Sequence, residues 1–210
     1  MPALLEVENL VKKFGDFTAV KGVSFTVAEG EIFSLLGPNG AGKTTTLRIL
    51  SGLMKPTAGH AIIDGIDVVA EPEQVRGRIG FLTAQTGLYQ RLSPRELLTY
   101  FGELNGLPRP VIRQRVETLI EWLGMTEFAG QHCGALSTGQ RQRTNIARAL
   151  IADPPVLIMD EPTLGLDVLT NRIILEFIRR ERSNGKAILL STHYLDEAEG
   201  LCDRIGLLHE

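Results

Sequence analysis

Hydrophobic residues in the first third of the chain come in short runs that are separated by turn residues. Four such runs are Leu4–Leu10, Thr18–Val27, Ile32–Leu36 and Ala61–Asp64. Runs of this length, rich in β-branched and aromatic residues and bounded by glycine or polar residues, are typical of strands. We therefore expect these four runs to form an antiparallel β layer.

The middle of the chain follows a helical period instead. From Pro94 to about Ile151, apolar residues recur three or four positions apart, as in Leu97, Phe101 and Leu104. This spacing places apolar side chains on one face of a helix. It predicts a helical subdomain over about residues 86–151.

The last third alternates strands with helices. Apolar runs at Val156–Met159, Ala187–Ser191 and Ile205–Leu208 are separated by a helical pattern over Asn171–Arg182 and then by a shorter one. Such alternation predicts parallel strands with covering helices. Residues 1–85 and 152–210 would then form one α/β body, and the whole chain a single domain.

The composition is that of a globular protein without an unusual charge. The net charge is −3, with 43% hydrophobic and 22% charged residues, so we expect no nucleic-acid partner. No apolar run approaches 18 residues, and the N-terminus lacks a basic start followed by an apolar segment, so neither a membrane span nor a signal peptide is predicted. Cys133 and Cys202 lie outside any metal-ligand spacing, which favours reduced thiols in a cytoplasmic protein.

The first candidate for chemistry is a glycine-rich loop between a predicted strand and a predicted helix. Residues Gly37–Thr44 fit the phosphate-binding pattern G-x-x-x-x-G-K-[ST], after the run Glu31–Leu36 and before a helical run that ends near Leu53. Backbone N–H groups and a positive helix end would surround phosphate oxygens there. Lys43 would reach the β- and γ-phosphates, and the Thr44 hydroxyl would bind Mg²⁺. The candidate phosphate-contacting residues are Gly37, Pro38, Asn39, Gly40, Ala41, Gly42, Lys43, Thr44 and Thr45.

A second candidate lies where an apolar strand ends in two carboxylates. Asp160 and Glu161 follow Val156–Met159 directly. Ligands of α/β proteins bind at the carboxyl ends of strands, so Asp160 is suited to hold Mg²⁺ and Glu161 to act as a general base toward water. The alternative interpretation is a solvated Asp-Glu pair.

A third candidate is the start of a basic helix at Leu136–Gln140. Ser137 can cap this helix, and Gln140 three residues later would complete a capping box. The same helix N-terminus could bind an anion. An ordinary helix start with a basic exposed face remains the alternative.

Taken together, these motifs resemble those of the nucleotide-binding subunits of ATP-binding cassette (ABC) transporters. Leu136–Gln140 is similar to that family's signature L-S-G-G-Q, Leu164–Asp167 to its D-loop, and Ser191–His193 to its switch histidine, while Phe14 matches the aromatic residue that stacks on adenine. The motifs stand in family order from about residue 4 to the end. The resemblance implies an α/β P-loop NTPase fold of ABC type, a mixed sheet core with an antiparallel β subdomain and a helical subdomain.

The resemblance also implies how the chain works. In the family, ATP and Mg²⁺ bound on one subunit are enclosed by the signature helix of another, in a head-to-tail dimer. Ser137, Thr138, Gly139 and Gln140 would then act on the second subunit's nucleotide, and Asp167 belongs to the D-loop that follows the Asp160-Glu161 pair. His193 would contact the γ-phosphate and help Glu161 to place the attacking water.

The sequence departs from the family pattern at several points. Thr138 replaces a glycine, and Phe14 replaces the commoner tyrosine, whose stacking needs only a ring face. The family's Q-loop glutamine, a Mg²⁺ and ATP contact, corresponds to Gln85, although one alignment puts Ala84 at that position. Since the family continues past Ile205–Leu208 into a hairpin, we expect part of the domain's C-terminal end to be missing.

Several functions fit this resemblance. The first is a transport ATPase at the inner face of the cell membrane, paired with a second copy of itself and driving a permease that docks on residues 94–135. Residues 86–92 with Tyr100-Phe101-Gly102 resemble ATPases of bacterial sodium-efflux and of drug or polysaccharide export systems. An ABC ATPase that acts on ribosomes or DNA is the alternative. A third interpretation, a P-loop kinase or nucleotide switch, does not explain the signature-like segment Leu136–Gln140.

Overall fold

A computed structural model describes residues 3–83 and 87–209. These residues fall into two compact units. The first unit holds the chain up to Thr83, Pro154–Pro162 and the chain from Arg179 onward. The second holds the segment between Thr83 and Pro154 together with Thr163–Ile178.

The described strands are numbered in chain order. They are β1 (Ala3–Phe14), β2 (Phe17–Ala28), β3 (Ile32–Leu36), β4 (Ala58–Ile63), β5 (Ile66–Asp67), β6 (Ile79–Leu82), β7 (Val156–Asp160), β8 (Ala187–Thr192) and β9 (Arg204–Leu207). The described α-helices are α1 (Lys43–Leu50), α2 (Pro72–Arg76), α3 (Pro94–Leu104), α4 (Arg109–Trp122), α5 (Thr138–Leu150), α6 (Val168–Ser183) and α7 (Leu195–Leu201).

The first unit contains two sheets. One is antiparallel, with strand order β2-β1-β4-β5, and the other is parallel, with order β6-β7-β8-β3-β9. Apolar side chains of both sheets and of α1 form one buried cluster, which includes Leu5, Phe33, Leu47 and Ile158. This cluster supports the strand ends and the loop at which the candidate residues lie.

One strand lies in a different sheet from the one predicted. The run Ile32–Leu36 was expected in the antiparallel layer, but it forms β3 inside the parallel sheet, between β8 and β9. All five of its residues are buried. Strands of a parallel sheet are covered on both faces and therefore read as continuous apolar runs rather than alternating ones.

The other predicted elements are present with different bounds. β1 continues to Phe14, well past the predicted end at Leu10, because polar positions on an antiparallel strand can face water. α6 begins at Val168 rather than at Asn171. The Asp167 carboxylate accepts hydrogen bonds from the Thr170 N–H at 2.9 Å and the Thr170 hydroxyl at 2.8 Å, which favours an earlier helix start.

The second unit is mostly helical among its described residues. α3, α4 and α5 bury apolar side chains at the predicted helical spacing, among them Leu97, Ile112, Val116 and Ile146. The Arg115 side chain on α4 donates to the carbonyls of Leu150 at 2.7 Å and Ile151 at 2.8 Å. It thereby satisfies carbonyl groups that the end of α5 leaves without helical partners.

Within residues 3–83 and 87–209, no helix has the length and apolar content needed to cross a lipid bilayer.

Two glycines of the antiparallel sheet provide a matched test of its packing. Gly59 in β4 and Gly65 after it have φ values of +78° and +76°. A Cβ on Gly59 would lie 2.2 Å from the Asn9 carbonyl oxygen, whereas one on Gly65 meets no atom within 4 Å. We expect Gly65→Ala to lower the free energy of unfolding by about 1 kcal/mol through backbone strain alone, and Gly59→Ala by roughly 3–5 kcal/mol. Urea unfolding measures both, and equal losses would contradict the proposed clash.

Candidate functional site

The glycine-rich loop joins β3 to α1 and leaves no room for side chains at two of its glycines. A Cβ on Gly37 would lie 2.5 Å from the Leu208 carbonyl oxygen, and one on Gly42 would lie 2.2 Å from that of Ala19. Gly42, with φ of +91°, is the residue directly before α1. The first N–H groups of α1 therefore face a close turn of bare backbone, an arrangement that suits phosphate oxygens.

Lys43 is the first residue of α1, and its side chain is 6% exposed. The ammonium group donates to the carbonyls of Gly37 at 2.6 Å and Pro38 at 3.1 Å. It also lies 3.6 Å from a carboxylate oxygen of Glu161. A buried positive charge is thus held over the phosphate loop and beside a carboxylate.

Asp160 ends β7 and is 5% exposed. Its carboxylate accepts a hydrogen bond from the Thr44 hydroxyl, 2.9 Å from Oδ2 and 3.2 Å from Oδ1. A second hydroxyl, that of Ser191, donates to Oδ1 at 2.6 Å. One carboxylate and two hydroxyls thus meet beside the phosphate loop.

This donor set fits Mg²⁺. The ion prefers oxygen ligands and is usually held by one or two carboxylates together with phosphate and water oxygens. Among the described residues, no three His, Cys, Asp or Glu side chains are grouped as for a metal held by protein alone. Asp160 and Thr44 would therefore supply the protein's share of ligands beside a bound triphosphate.

Glu161 leaves the strand direction immediately after Asp160. Its φ of +50° is left-handed, which is uncommon for a residue other than glycine. Its N–H donates to the Ser191 carbonyl at 3.2 Å and to Ser191 Oγ at 3.1 Å. On its side chain, one oxygen lies 2.9 Å from His193 Nδ1 and the other faces Lys43. The carboxylate is therefore held between two groups that can carry positive charge.

Two aromatic rings border the pocket that the phosphate loop, Lys43 and Glu161 also line. Phe14 and Phe17 are paired across the turn that joins β1 to β2, and they are 48% and 63% exposed. The Lys12 ammonium lies 5.1 Å from the centre of the Phe14 ring and donates to the Lys55 carbonyl at 2.8 Å. The pocket has a volume of about 280 Å³ and is lined by Phe14, Phe17, Ala19, Pro38, Asn39, Gly40, Gly42, Lys43, Thr44, Thr45 and Glu161.

The signature-like segment lies in the second unit, at the start of α5. The Ser137 side chain accepts from the Gln140 N–H at 3.3 Å, and the Gln140 side chain accepts from the Ser137 N–H at 2.8 Å. This confirms the predicted capping box. Ser137 and Thr138 are exposed, so the threonine that replaces a glycine is accommodated at the surface. Gly139 is buried, and a Cβ there would lie 2.8 Å from the Thr170 hydroxyl.

Arg143 fixes the first turns of α5 to the end of α4. Its guanidinium donates to the carbonyls of Gly124 at 2.7 Å and Leu123 at 3.2 Å, and it lies 4.8 Å from the centre of the Phe128 ring. Burial lowers the pKa of Arg143, while the carboxylate of Asp167 opposes that change. The Thr170 hydrogen bonds lower the pKa of Asp167 itself, so this carboxyl keeps its negative charge at neutral pH.

The predicted site residues thus fall into two groups. The loop residues, Asp160, Glu161, His193 and Phe14 lie in the first unit, whereas Ser137–Gln140 and Asp167 lie in the second. Gln85 and Ala84, the two candidates for the Q-loop position, lie outside the described residues. Two further residues, Phe17 and Ser191, contact the site without having been predicted as site residues.

Phe17 belongs to no predicted motif, and Ser191 enters one only as a neighbour of His193. Phe17 could have been found as the residue paired with Phe14 across a Gly-Asp turn. Ser191 could have been found as the first hydroxyl after an apolar run.

Comparison with known proteins agrees with this geometry. A family model described as "ABC transporter" matches residues 20–164. The ABC transporter ATP-binding protein NatA of Bacillus subtilis is 44% identical over 91% of this chain and 78% of its own length. The Nod factor export ATP-binding protein I of Ralstonia nicotianae is also 44% identical, over 98% of this chain and 64% of its own length.

A solved structure shows the same fold. It is a dimeric ATP-binding cassette in a post-hydrolysis state with ADP and Pi, 31% identical, with a TM-score of 0.86 over 97% of this chain and 94% of that one. The predicted α/β fold of ABC type is thereby confirmed. From its sequence, its fold and the residues at its phosphate loop, the chain belongs to the ABC transporter family of ATPase domains.

Proposed function

We propose that this chain binds and hydrolyses ATP to power export through a separate membrane subunit. ABC ATPases bind and hydrolyse ATP as a family, so the proposal concerns which residues do so here and what the energy drives. The observation that carries it is the convergence of Lys43, Thr44, Asp160, Glu161 and His193 at one phosphate loop. Lys43 and Thr44 begin α1, Asp160 and Glu161 lie at the end of β7, and His193 directly follows β8.

Each of these residues has a distinct role in the proposed reaction. The loop N–H groups and Lys43 bind the phosphates, and the aromatic rings contact the base. Thr44 and Asp160 would hold Mg²⁺, which neutralises phosphate charge when bound. The Glu161 carboxylate accepts a proton from the attacking water, and His193, 2.9 Å away, orients that carboxylate.

The proposed site is completed by a second subunit. Ser137, Thr138, Gly139 and Gln140 form the start of α5, with Ser137 and Thr138 exposed, and the N–H groups that the capping box does not use can bind a γ-phosphate. The phosphate loop, which lies in the first unit, would supply the remaining contacts to the phosphates. The dimeric neighbour bound to ADP and Pi supports a dimer as the nucleotide-bound state. In the proposed dimer two copies enclose the nucleotide, with Asp167 near the junction.

Transport is the proposed use of this cycle. Relatives named for Nod factor export support the export direction, and the helical residues 94–135 are the proposed docking region for a permease. This assignment places the chain in the cytoplasm, on the inner face of the membrane.

The direct test is phosphate release by the purified chain. We expect release from ATP that saturates with Mg²⁺ and stops with EDTA, and co-purification with a membrane protein from cells that produce the chain naturally. Phosphate release at a rate that does not depend on Mg²⁺, or a phosphorylated acceptor in place of free phosphate, would contradict the proposal. Salt-sensitive capture of RNA or DNA instead of the membrane protein would point to the ribosome- or DNA-acting alternative.

The aromatic rings give a graded prediction about base binding. Phe14→Ala should raise the Kd for ATP about 10-fold, because stacking on a base is worth roughly 1–3 kcal/mol. Phe17→Ala should raise it about 3-fold, since Phe17 is the more exposed ring. Fluorescence titration with an ATP analogue measures both, and Phe14→Tyr serves as the control that keeps the ring. A Phe14→Ala protein with unchanged Kd would contradict stacking on this residue.

A further inference from the structure

A buried hydroxyl contacts the Asp160 carboxylate and the backbone N–H of Glu161. Ser191 lies near the end of β8, directly opposite Asp160 in the parallel pairing of β7 and β8, and it is 0% exposed. Its Oγ donates to Asp160 Oδ1 at 2.6 Å and accepts from the Glu161 N–H at 3.1 Å. One side chain therefore contacts both residues at the point where their directions diverge.

The directions of these hydrogen bonds are fixed by chemistry. A backbone N–H can only donate, and an ionised carboxylate can only accept. The single hydroxyl proton of Ser191 is therefore used on Asp160, and an oxygen lone pair receives the Glu161 N–H. Hydroxyl-to-carboxylate bonds of this length are among the stronger ones in proteins.

Glu161 needs support of this kind. Left-handed backbone is strained for a residue other than glycine, so the turn at Glu161, with φ of +50°, persists only if its surroundings hold it. Ser191 supplies two acceptors to the Glu161 N–H, its Oγ at 3.1 Å and its own carbonyl at 3.2 Å. Without the hydroxyl, only the carbonyl contact would remain.

We propose that Ser191 is a positioning residue that fixes the metal-binding carboxylate of Asp160 relative to the basic carboxylate of Glu161. This inference rests on the proposed function of that site. Ser191 touches neither phosphate nor water in this role. It acts through the rotamer of Asp160 and the backbone turn of Glu161.

The test replaces Ser191 by alanine, threonine and valine. Threonine and valine have the same shape, but only threonine carries a hydroxyl, so the pair separates hydrogen bonding from packing. The readouts are kcat for phosphate release, the Mg²⁺ concentration for half-maximal ATP binding, and the Kd for ATP in EDTA. The last two are binding measurements that need no turnover.

A matched control is available on the neighbouring strand. Ser34 in β3 is also 0% exposed, and its Oγ has no oxygen or nitrogen partner in the described part of the chain. Ser34→Ala therefore removes an equally buried hydroxyl that touches neither carboxylate. It should leave all three readouts unchanged.

We expect Ser191→Ala and Ser191→Val to lower kcat about 10-fold and to raise the half-saturating Mg²⁺ concentration about 5-fold, as loss of a hydrogen bond to a charged group implies. The Kd for ATP in EDTA should stay within about 2-fold, because the phosphate loop is untouched, and Ser191→Thr should remain within about 3-fold of wild type. Wild-type kcat and Mg²⁺ dependence in Ser191→Ala would overturn the inference. Equal activity of Ser191→Val and Ser191→Thr, or an equal loss in Ser34→Ala, would also overturn it, whereas an inactive wild type would refute the proposed function instead.

Discussion

Replacing Glu161 by glutamine is expected to lower the rate of ATP hydrolysis about 100- to 1000-fold and to leave the Kd for ATP within about 2-fold. Glutamine has the size of glutamate and can still accept from His193, but it cannot take a proton from water. Lys43, 3.6 Å from this carboxylate, keeps its two carbonyl contacts on the phosphate loop. Binding and hydrolysis should therefore separate in this variant.

The same variant should accumulate the nucleotide-bound state. If two copies enclose ATP and hydrolysis reopens them, a protein that binds but does not hydrolyse stays closed. Size-exclusion chromatography with ATP and Mg²⁺ should then show a dimer for Glu161→Gln and mostly monomer for wild type. Glu176→Gln is the control, since Glu176 is an exposed residue of α6 that pairs only with Arg172 among described residues. ATP hydrolysis by Glu161→Gln at the wild-type rate would show that Glu161 is not the general base.

Local patterns predicted most elements because each depends on nearby residues. The capping box at Ser137 and Gln140 is an example, since both partners lie within one helical turn. The sheet that contains β3 could not be predicted this way. A mostly apolar run of five residues fits either sheet, and only its partners β8 and β9, about 155 and 170 residues later in the sequence, make it parallel.

The same distinction applies to the site. Gly37–Thr44 and Asp160-Glu161 are contiguous, so their chemistry can be read from sequence. Ser191 becomes informative only when the pairing of β7 with β8 brings it opposite Asp160, 31 residues away. Phe17 becomes informative only when the β1–β2 turn places it beside the phosphate loop. Residues that act through tertiary contacts carry no motif of their own.

The two groups of site residues raise the question of whether one copy can complete the reaction. The phosphate loop and carboxylates belong to the first unit, and the exposed helix start at Ser137 belongs to the second. If the nucleotide is enclosed between copies, each copy contributes a different half to each site. Defects in the two halves should then complement each other when the halves come from different chains.

Mixing two inactive variants should therefore restore ATP hydrolysis. Lys43→Ala removes the phosphate-binding ammonium, and Ser137→Asp keeps a good helix cap but puts a negative charge where the γ-phosphate would bind, so each alone should lose at least about 100-fold in rate. In a head-to-tail dimer of one copy of each, one site carries both defects and the other carries neither. An equal mixture combined before ATP is added should recover up to about a quarter of wild-type activity, since about half the dimers are mixed and each has one intact site.

Ser137→Asn is the control, because asparagine is a neutral helix cap of nearly the same size as aspartate. Its rate of ATP hydrolysis should stay close to wild type, which would show that the negative charge of Ser137→Asp causes the loss. A mixture that remains as inactive as its components would show that each copy hydrolyses ATP without the other's helix, and the composite site would have to be abandoned.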